Sequence, residues 1–200
     1  MTSRTRVLIL ARRNGLAPPQ WTHPDAPARF AALALTAAKT EAESERVAHW
    51  LSFDGLGATA WRWCILTPIA SGRPLDIASL VRCLDHMTAA HVLAYAAIKE
   101  CRPDARVGVT AGATGIYELD RLVLDILVAR SDGVDRFEIG PWLTSRRSAF
   151  NAATPPPRGR VGTVVRAAAA AAIAGERALP TAVSAVYAST HIRPIDAVEL

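Results

Sequence analysis

Short apolar runs alternate with longer segments of helical spacing along the chain, and this alternation constrains the fold more than any other feature. Such alternation is typical of a parallel sheet whose strands are joined by right-handed helical crossovers. The sequence therefore predicts an α/β fold with a parallel sheet of about five strands, forming an open doubly wound sheet or part of a (β/α) barrel. The predicted strands are Val7–Leu10, Val47–Phe53, Arg106–Thr110, Val134–Ile139 and Ala182–Tyr187.

Helices are predicted between these strands from apolar residues at helical spacing and from start and stop signals. Proline and glycine indicate loops at Asn14–Trp21, Asp54–Pro74 and Pro141–Gly159. The predicted helices run from Asp25 to Arg46, from Asp76 to Pro103, from Tyr117 to Arg130 and from Thr163 to Gly175.

The length and apolar content of the chain predict one domain, residues 1–200. The chain has 200 residues, of which 50% are hydrophobic, and this is enough for one packed core. No apolar run approaches the roughly 20 residues of a transmembrane helix. The N-terminal residues also lack the apolar core of a signal peptide. We therefore expect a cytoplasmic protein with no membrane partner.

The net charge of +5 comes almost entirely from arginine, since Lys39 and Lys99 are the only lysines. Most of these arginines stand singly among acidic residues. Nucleic-acid-binding proteins carry their basic residues on one clustered face. The sequence therefore predicts no nucleic-acid partner.

The cysteines and glycines give no sign of a metal or a cofactor. Cys64, Cys83 and Cys101 are odd in number and form no Cys-x-x-Cys pair, so neither a zinc site nor a redox dithiol is indicated. We expect reduced thiols in a reducing compartment. The segment Gly112–Gly115 lacks the third glycine of a dinucleotide fingerprint and the lysine of a P-loop.

Between Pro19 and Thr110 a series of short motifs resembles glycoside hydrolase family 1, the β-glucosidase-type TIM barrels. The family's corresponding segments are Leu-Pro-Gln-Trp, Arg-Phe-Ala-x-Tyr-Ala, Trp-x-Thr-Phe-Asn-Glu-Pro, His-Asn-x-x-x-Ala-His and Val-Gly-Ile-Thr, in the same order. In this chain they read Pro19-Gln20-Trp21, Arg29-Phe30-Ala31-Ala32-Leu33-Ala34, His49-Trp50-Leu51-Ser52-Phe53-Asp54-Gly55-Leu56, Asp85-His86-Met87-Thr88-Ala89-Ala90-His91 and Arg106-Val107-Gly108-Val109-Thr110.

The departures from the family concern its catalytic residues. The family's general acid/base is the glutamate of Asn-Glu-Pro, where this chain reads Asp54-Gly55-Leu56, and the Ile-Thr-Glu-Asn-Gly segment of the nucleophile is absent. A retaining glycosidase needs two carboxyl groups about 5–5.5 Å apart. The family barrel is also more than twice as long, and the resemblance starts at its third strand. The resemblance therefore implies a truncated or partial barrel, in which hydrolysis by the family mechanism is not expected.

Two carboxylates are candidate catalytic residues. Asp54 follows a predicted buried strand, and the carboxyl ends of parallel strands hold the ligands of α/β proteins. It is equally well explained as a turn residue before Gly55. Glu138 lies near the end of the predicted fourth strand, where it is a second carboxylate or a solvated strand residue. Acid and base roles would require unequal environments for the two groups.

Aromatic and basic residues near the predicted strand ends are candidates for substrate binding. Tryptophan faces stack on sugars and on other rings, although they also cover apolar cores. Arginines after a strand suit carboxylate or phosphate ligands, although solvated strand flanks have the same pattern. The candidates are Trp21, Trp61, Trp63, Trp142, Arg12 and Arg13.

Two functional hypotheses follow, and they leave open whether the chain is an enzyme. The first is a non-hydrolytic enzyme of specialised metabolism, of lyase, isomerase or cyclase type, that acts on a small molecule without a cofactor. The second is a catalytically inactive glycosidase relative that binds a ligand or a protein. A truncated sheet would expose edge strands, which proteins cover or pair. We therefore also expect a homodimer or a partner protein.

Overall fold

The structure is a computed structural model that describes residues 6–13, 18–42, 47–74, 76–155, 167 and 179–196. Within these residues it contains one parallel sheet surrounded by helices. The strands are β1 (Arg6–Ile9), β2 (Val47–Leu51) and β3 (Arg106–Gly108). The helices are α1 (Leu10–Arg13), α2 (Pro18–Trp21), α3 (Ala26–Ala42), α4 (Leu56–Trp61), a π-helical turn (Arg62–Leu66), α5 (Thr67–Ala70), α6 (Ile77–Cys101), α7 (Tyr117–Asp120), α8 (Leu122–Ala129), α9 (Ile139–Ala153) and α10 (Pro180–Ala188).

The sheet confirms the α/β class and the parallel pairing, but it has fewer strands than the sequence predicts. Its order is β1-β2-β3, so strands that follow one another along the chain are neighbours in space. Leu8, Trp50 and Val107 lie side by side in register, and all three side chains are buried. The described residues therefore form a three-stranded sheet, and they do not form a closed barrel.

The predicted strand Val134–Ile139 is wrong. Residues 134 and 135 belong to no helix or strand, residues 136–138 form a turn, and Ile139 is the first residue of α9. The carboxylate of Asp135 accepts a hydrogen bond from the Phe137 backbone N–H (2.8 Å), which stabilises a turn rather than a strand. Pro141 then lies in the first turn of the helix, where a missing N–H costs nothing.

The predicted strand Ala182–Tyr187 is also wrong, because this segment lies in α10. Pro180 is at the start of the helix, a favoured position for proline. The buried carboxylate of Asp85 on α6 accepts hydrogen bonds from the backbone N–H groups of Thr181 and Ala182 (3.2 and 2.7 Å). A side chain almost a hundred residues away thus supplies the N-terminal cap, and no local pattern reveals it.

The predicted loop Pro141–Gly159 is likewise helical as far as Ala153. The predicted helix Thr163–Gly175 lies outside the described residues, apart from residue 167. No helix among the described residues is both long enough and apolar enough to span a membrane.

Helix α6 forms where the apolar spacing predicts a long helix, and it lies at the centre of the helical packing. It begins after Asp76, whose carboxylate accepts hydrogen bonds from the Ser79 N–H and hydroxyl (2.9 and 2.6 Å). This is a standard N-cap arrangement. The helix packs against α3 on one side and α10 on another. It contributes the fully buried side chains Leu80, Leu84, Met87 and Ile98 to the core.

The two edges of the sheet differ. On the outer side of β3, Asp196 pairs with Val107 through both its backbone N–H (2.8 Å) and its carboxylate (3.0 Å). Among the described residues, β1 pairs with β2 alone, and its Val7 is 39% exposed. If a second copy or a partner protein pairs with an open edge of the sheet, β1 is therefore the strand that we expect it to contact. This contact stays a prediction.

Gly57 marks a close approach between α4 and α7. A Cβ atom at this position would lie 2.1 Å from the carbonyl oxygen of Leu119, so the two helices would have to separate. Overpacking of this kind costs about 1–3 kcal/mol. We expect Gly57→Ala to lower the free energy of unfolding, measured in urea, by that amount.

The matched control for this substitution is Ala70→Ser at the exposed end of α5. Surface changes of this kind stay within about 0.5 kcal/mol. Equal stability of Gly57→Ala and the wild type would contradict the close approach.

Candidate functional site

A cavity of about 520 Å³ lies at the carboxyl ends of β1 and β2. Its volume is within the range of small-molecule sites, roughly 300–1,000 Å³. We call it the site cavity. It is lined by Ile9 at the end of β1 and Ala11 on α1, by Phe53 and Asp54 just after β2, and by Ala58, Thr59, Arg62 and Trp63.

The wall that follows Asp54 is helical, although the sequence predicts a long loop there. It consists of α4, the π-helical turn and α5 in succession. Gly55 has a φ of 65°, and this left-handed conformation turns the chain from the strand into the helix. Pro68 lies in the first turn of α5, where proline does not interrupt a helix. π-Helical turns are rare and occur frequently at functional sites, and this one carries both Arg62 and Trp63.

Asp54 is held firmly in the site cavity. The Thr110 hydroxyl donates a hydrogen bond to Asp54 Oδ1 (3.0 Å) and accepts one from the Gly55 N–H (2.6 Å). The Thr59 hydroxyl donates to the carbonyl oxygen of Asp54 (3.1 Å). The side chain and the backbone are thus both fixed, while the carboxylate remains exposed. Asp54 is a turn residue and a cavity residue at once, so the two interpretations of the sequence do not exclude each other.

Trp63 is the predicted tryptophan that lines the site cavity, where it is half-buried. The exposed Arg62 lies beside it and supplies a guanidinium group. The sequence did not single out Arg62 as a ligand-binding residue. The sequence feature that could have identified Arg62 is its position next to Trp63, in the segment that follows a predicted strand.

Trp21 belongs to the core rather than to the site cavity. Its side chain is 1% exposed. The ring lies 5.5 Å from that of Phe30 and 5.3 Å from that of Phe53. Its carbonyl oxygen is within hydrogen-bond distance (2.8 Å) of Nδ1 of the buried His86. The core explanation of this tryptophan therefore describes it better than the ligand-binding one.

Trp61 and Trp142 also lie away from the site cavity. Trp61 is half-buried and packs against Ile116 and Leu119. Trp142 is half-buried on α9, with the Arg146 guanidinium 5.5 Å from its ring. Neither is among the residues that line the site cavity.

Glu138 does not join Asp54 at the site cavity. The predicted strand that was to carry it to the carboxyl edge of the sheet is absent, and Glu138 is instead an exposed residue directly before α9. Its carbonyl oxygen accepts the Trp142 N–H of that helix (3.1 Å). The solvated alternative thus describes Glu138, and the predicted carboxylate pair is not assembled at this cavity.

Arg12 and Arg13 form the end of α1, immediately after β1. Their backbone lies at the carboxyl edge of the sheet, as predicted, and their side chains lie outside what the structure describes. Among the described residues no group of three or more His, Cys, Asp or Glu side chains is placed to hold a metal ion.

A buried histidine supports the strand that leads to Asp54. His91 Nδ1 accepts a hydrogen bond from the Ser52 hydroxyl (2.6 Å), and Nε2 donates to the carbonyl oxygen of Pro194 (2.8 Å). Burial lowers the pKa of His91 to about 4, against the opposing effects of the Pro194 carbonyl and of Asp196. His91 is therefore a neutral core residue bonded to a backbone carbonyl.

No family model, curated protein or solved structure matches this chain. The function is therefore argued from the geometry of the chain's own residues. The resemblance to glycoside hydrolase family 1 stays a prediction from the sequence motifs.

Proposed function

We propose that the protein binds a small hydroxyl-rich molecule, such as a monosaccharide or a related cyclic polyol, in the site cavity and does not hydrolyse glycosides. The observation that carries this proposal is that Asp54, Arg62 and Trp63 line the same cavity. These groups supply an acceptor, a donor and an aromatic face.

Each of the three groups suits one part of such a ligand. An ionised carboxylate accepts hydrogen bonds from hydroxyl groups, and a guanidinium donates to hydroxyl or carboxylate oxygens. The face of Trp63 offers an apolar surface to the C–H side of a ring. Because Thr110 fixes the Asp54 carboxylate before a ligand arrives, little ordering is needed on binding.

The arrangement of carboxylates is the reason for excluding glycoside hydrolysis. That reaction uses two carboxyl groups on opposite sides of the scissile bond, about 5–10 Å apart. Asp54 lines the site cavity, whereas Glu138 does not. Gly55 also occupies the position of the family's acid/base glutamate, and it has no side chain to protonate a leaving group.

We further propose that β1, β2 and β3 correspond to the third, fourth and fifth strands of the family's barrel. Their sequential order in the sheet is the order of a barrel wall. The position of Asp54 after β2 also agrees with the Asn-Glu-Pro segment that it resembles. A homodimer or a partner protein at the edge of β1 would then complete a partial barrel.

The second candidate function is acid–base chemistry at Asp54 alone, in a lyase, isomerase or cyclase. The observation that favours it is the hydrogen bond from Thr110, which aims a carboxylate into a cavity partly walled by apolar side chains. A single positioned base contributes roughly 10²–10⁴-fold to a rate. This candidate predicts turnover of the bound molecule, which the first does not.

The test uses calorimetry or saturation-transfer NMR to measure the binding of a panel of monosaccharides, cyclic polyols and aryl glycosides to the full chain. A hydrogen bond to a charged group contributes about 1.5–3 kcal/mol, so we expect Asp54→Asn to weaken binding by roughly 10- to 150-fold. Trp63→Ala is expected to weaken it at least tenfold. Trp142→Ala, which removes a half-buried tryptophan outside the site cavity, serves as the matched control and is expected to leave affinity unchanged.

Two results would contradict the proposal. One is that no member of the panel binds, and the other is binding that survives both Asp54→Asn and Trp63→Ala. Conversion of a bound compound that is lost in Asp54→Asn would favour the second candidate over simple binding.

A further inference from the structure

The thiols of Cys64 and Cys83 face each other in the core with their sulfur atoms 3.2 Å apart. No sequence motif indicates such a pair, because the two cysteines are 19 positions apart and form no Cys-x-x-Cys motif. Cys64 lies on the π-helical turn and Cys83 on α6, two elements that pack against each other. Tertiary packing thus creates a dithiol that local sequence does not encode.

One of the two cysteines borders a cavity, although only 6% of Cys64 is exposed. Cys64 lines a second cavity, of about 610 Å³, which we call the thiol cavity. Other residues of its lining include Arg73, Asp76 and Trp63. Cys83 lies behind Cys64 and is fully buried. A small oxidant can therefore reach the first sulfur from the thiol cavity, and the second sulfur only through the first.

The two thiols also differ in acidity. The hydrogen bond with Cys83 lowers the pKa of the Cys64 thiol, and this outweighs the opposing effect of burial. The same hydrogen bond and burial raise the pKa of Cys83. Cys64 is thus the sulfur that ionises first, and its thiolate then accepts a hydrogen bond from the Cys83 S–H. The thiolate is the reactive form of cysteine.

We propose that Cys64 and Cys83 form a reversible disulfide, with a small peroxide as the oxidant that enters through the thiol cavity. The Cys64 thiolate attacks one peroxide oxygen, the O–O bond breaks, and Cys64 becomes a sulfenic acid while the other oxygen leaves and takes up a proton. The Cys83 sulfur then attacks the Cys64 sulfur and displaces the hydroxyl group as water. With hydrogen peroxide, two thiols and one peroxide give one disulfide and two molecules of water.

Little movement is needed for this bond to form. A disulfide has an S–S distance of about 2.05 Å, so the sulfur atoms must approach each other by roughly 1.1 Å. Trp63, next to Cys64 in the chain, lines both cavities. The oxidisable pair therefore lies beside the wall that the thiol cavity shares with the site cavity. The proposal does not depend on which ligand the site cavity binds.

The test is a titration of the full-length protein with hydrogen peroxide, followed by thiol counting and peptide mass mapping. We expect two of the three thiols of each chain to disappear together and dithiothreitol to restore both. The oxidised peptides should be joined through Cys64 and Cys83, with a mass lower by two hydrogen atoms. In Cys101→Ser, the matched control, the same two thiols should be lost at the same rate.

Trapping of the intermediate gives an independent measurement. In Cys83→Ser the resolving thiol is missing, so we expect a sulfenic acid on Cys64 that dimedone labels, whereas Cys64→Ser should show no such label on Cys83. The proposal is overturned if Cys101 is oxidised before Cys64, if the mapped disulfide involves Cys101, or if both core thiols persist at peroxide doses that oxidise Cys101.

Discussion

Replacing both Arg121 and Arg146 with alanine is expected to lower the free energy of unfolding by about 3–5 kcal/mol. The reason is the carboxylate of Asp125, which is completely buried. Arg121 Nε and Arg146 Nη2 contact its Oδ1 at 3.1 and 2.9 Å, and the Tyr117 hydroxyl donates to its Oδ2 at 2.9 Å. Without the arginines, that hydroxyl is the remaining side-chain partner among the described residues, and a buried charge is left uncompensated.

The measurement is urea unfolding of the wild type, of the two single variants and of the double variant. Each single variant keeps one guanidinium on Asp125 and should lose clearly less than the double variant. Adding Asp125→Asn to the double variant removes the buried charge, so we expect it to recover much of the lost stability. A double variant as stable as the wild type, or one that Asp125→Asn does not rescue, would contradict this account.

Acidification from pH 6.5 to pH 4 is expected to destabilise the protein by about 3 kcal/mol through His91 alone. Burial holds the pKa of this side chain at about 4, well below its ordinary value of 6.5. Above pH 6.5 His91 is neutral in both the folded and the unfolded state and has no effect on the pH dependence. Between the two values the unfolded chain takes up the proton and the folded chain does not, so stability falls as the pH falls. Below pH 4 both states are protonated, and this contribution levels off.

The appropriate measurement compares the slope of stability against pH in the wild type and in His91→Gln, because carboxylates also titrate in part of this range. Glutamine keeps a donor and an acceptor for Pro194 and Ser52 while it removes the titration. We expect the variant to be less stable at pH 7 and to have the shallower slope between pH 6.5 and pH 4. Parallel slopes in the two proteins would mean that His91 takes up its proton in the folded state as readily as in the unfolded state.

The sequence was sufficient to predict those helices and strands whose patterns are local and repeat along the chain. Helix α6 has apolar residues at helical spacing over many turns and an aspartate at its N-cap, and it occurs where it was predicted. The strands β2 and β3 lie within the segments predicted for them, and β1 begins one residue before its predicted segment. For these elements the period of the apolar residues and the intrinsic preferences of the residues indicate the same secondary structure, so the prediction is unambiguous.

Segments of short apolar runs needed tertiary contacts to decide between helix and strand. Ala182–Tyr187 has no clear period, and it becomes helical with Asp85 of α6 as its cap. The turn at residues 136–138 is set by the side chain of Asp135 and by the helix that follows. Short apolar runs are ambiguous by nature, because burial of the same residues stabilises either structure.

The residues of the candidate site also differ in whether local sequence or tertiary contacts decide their position. The location of Asp54 was predictable, because a residue that directly follows a parallel strand lies at its carboxyl edge whatever surrounds the sheet. The role of Glu138 depended on a strand that does not form, and the difference between Trp21 in the core and Trp63 in the cavity depended on which elements cover each ring.

The sequence by itself thus determined the class of the fold, its longest helix and the position of one carboxylate, since each of these follows from neighbours along the chain. The tertiary structure alone decided which residues meet across the chain: Arg146 at the Asp125 carboxylate, the cap from Asp85 and the two facing thiols. The residues of each contact are far apart in the sequence, and no helical or strand period relates their positions. The contacts exist only once the packing of helices on the sheet has fixed their distances.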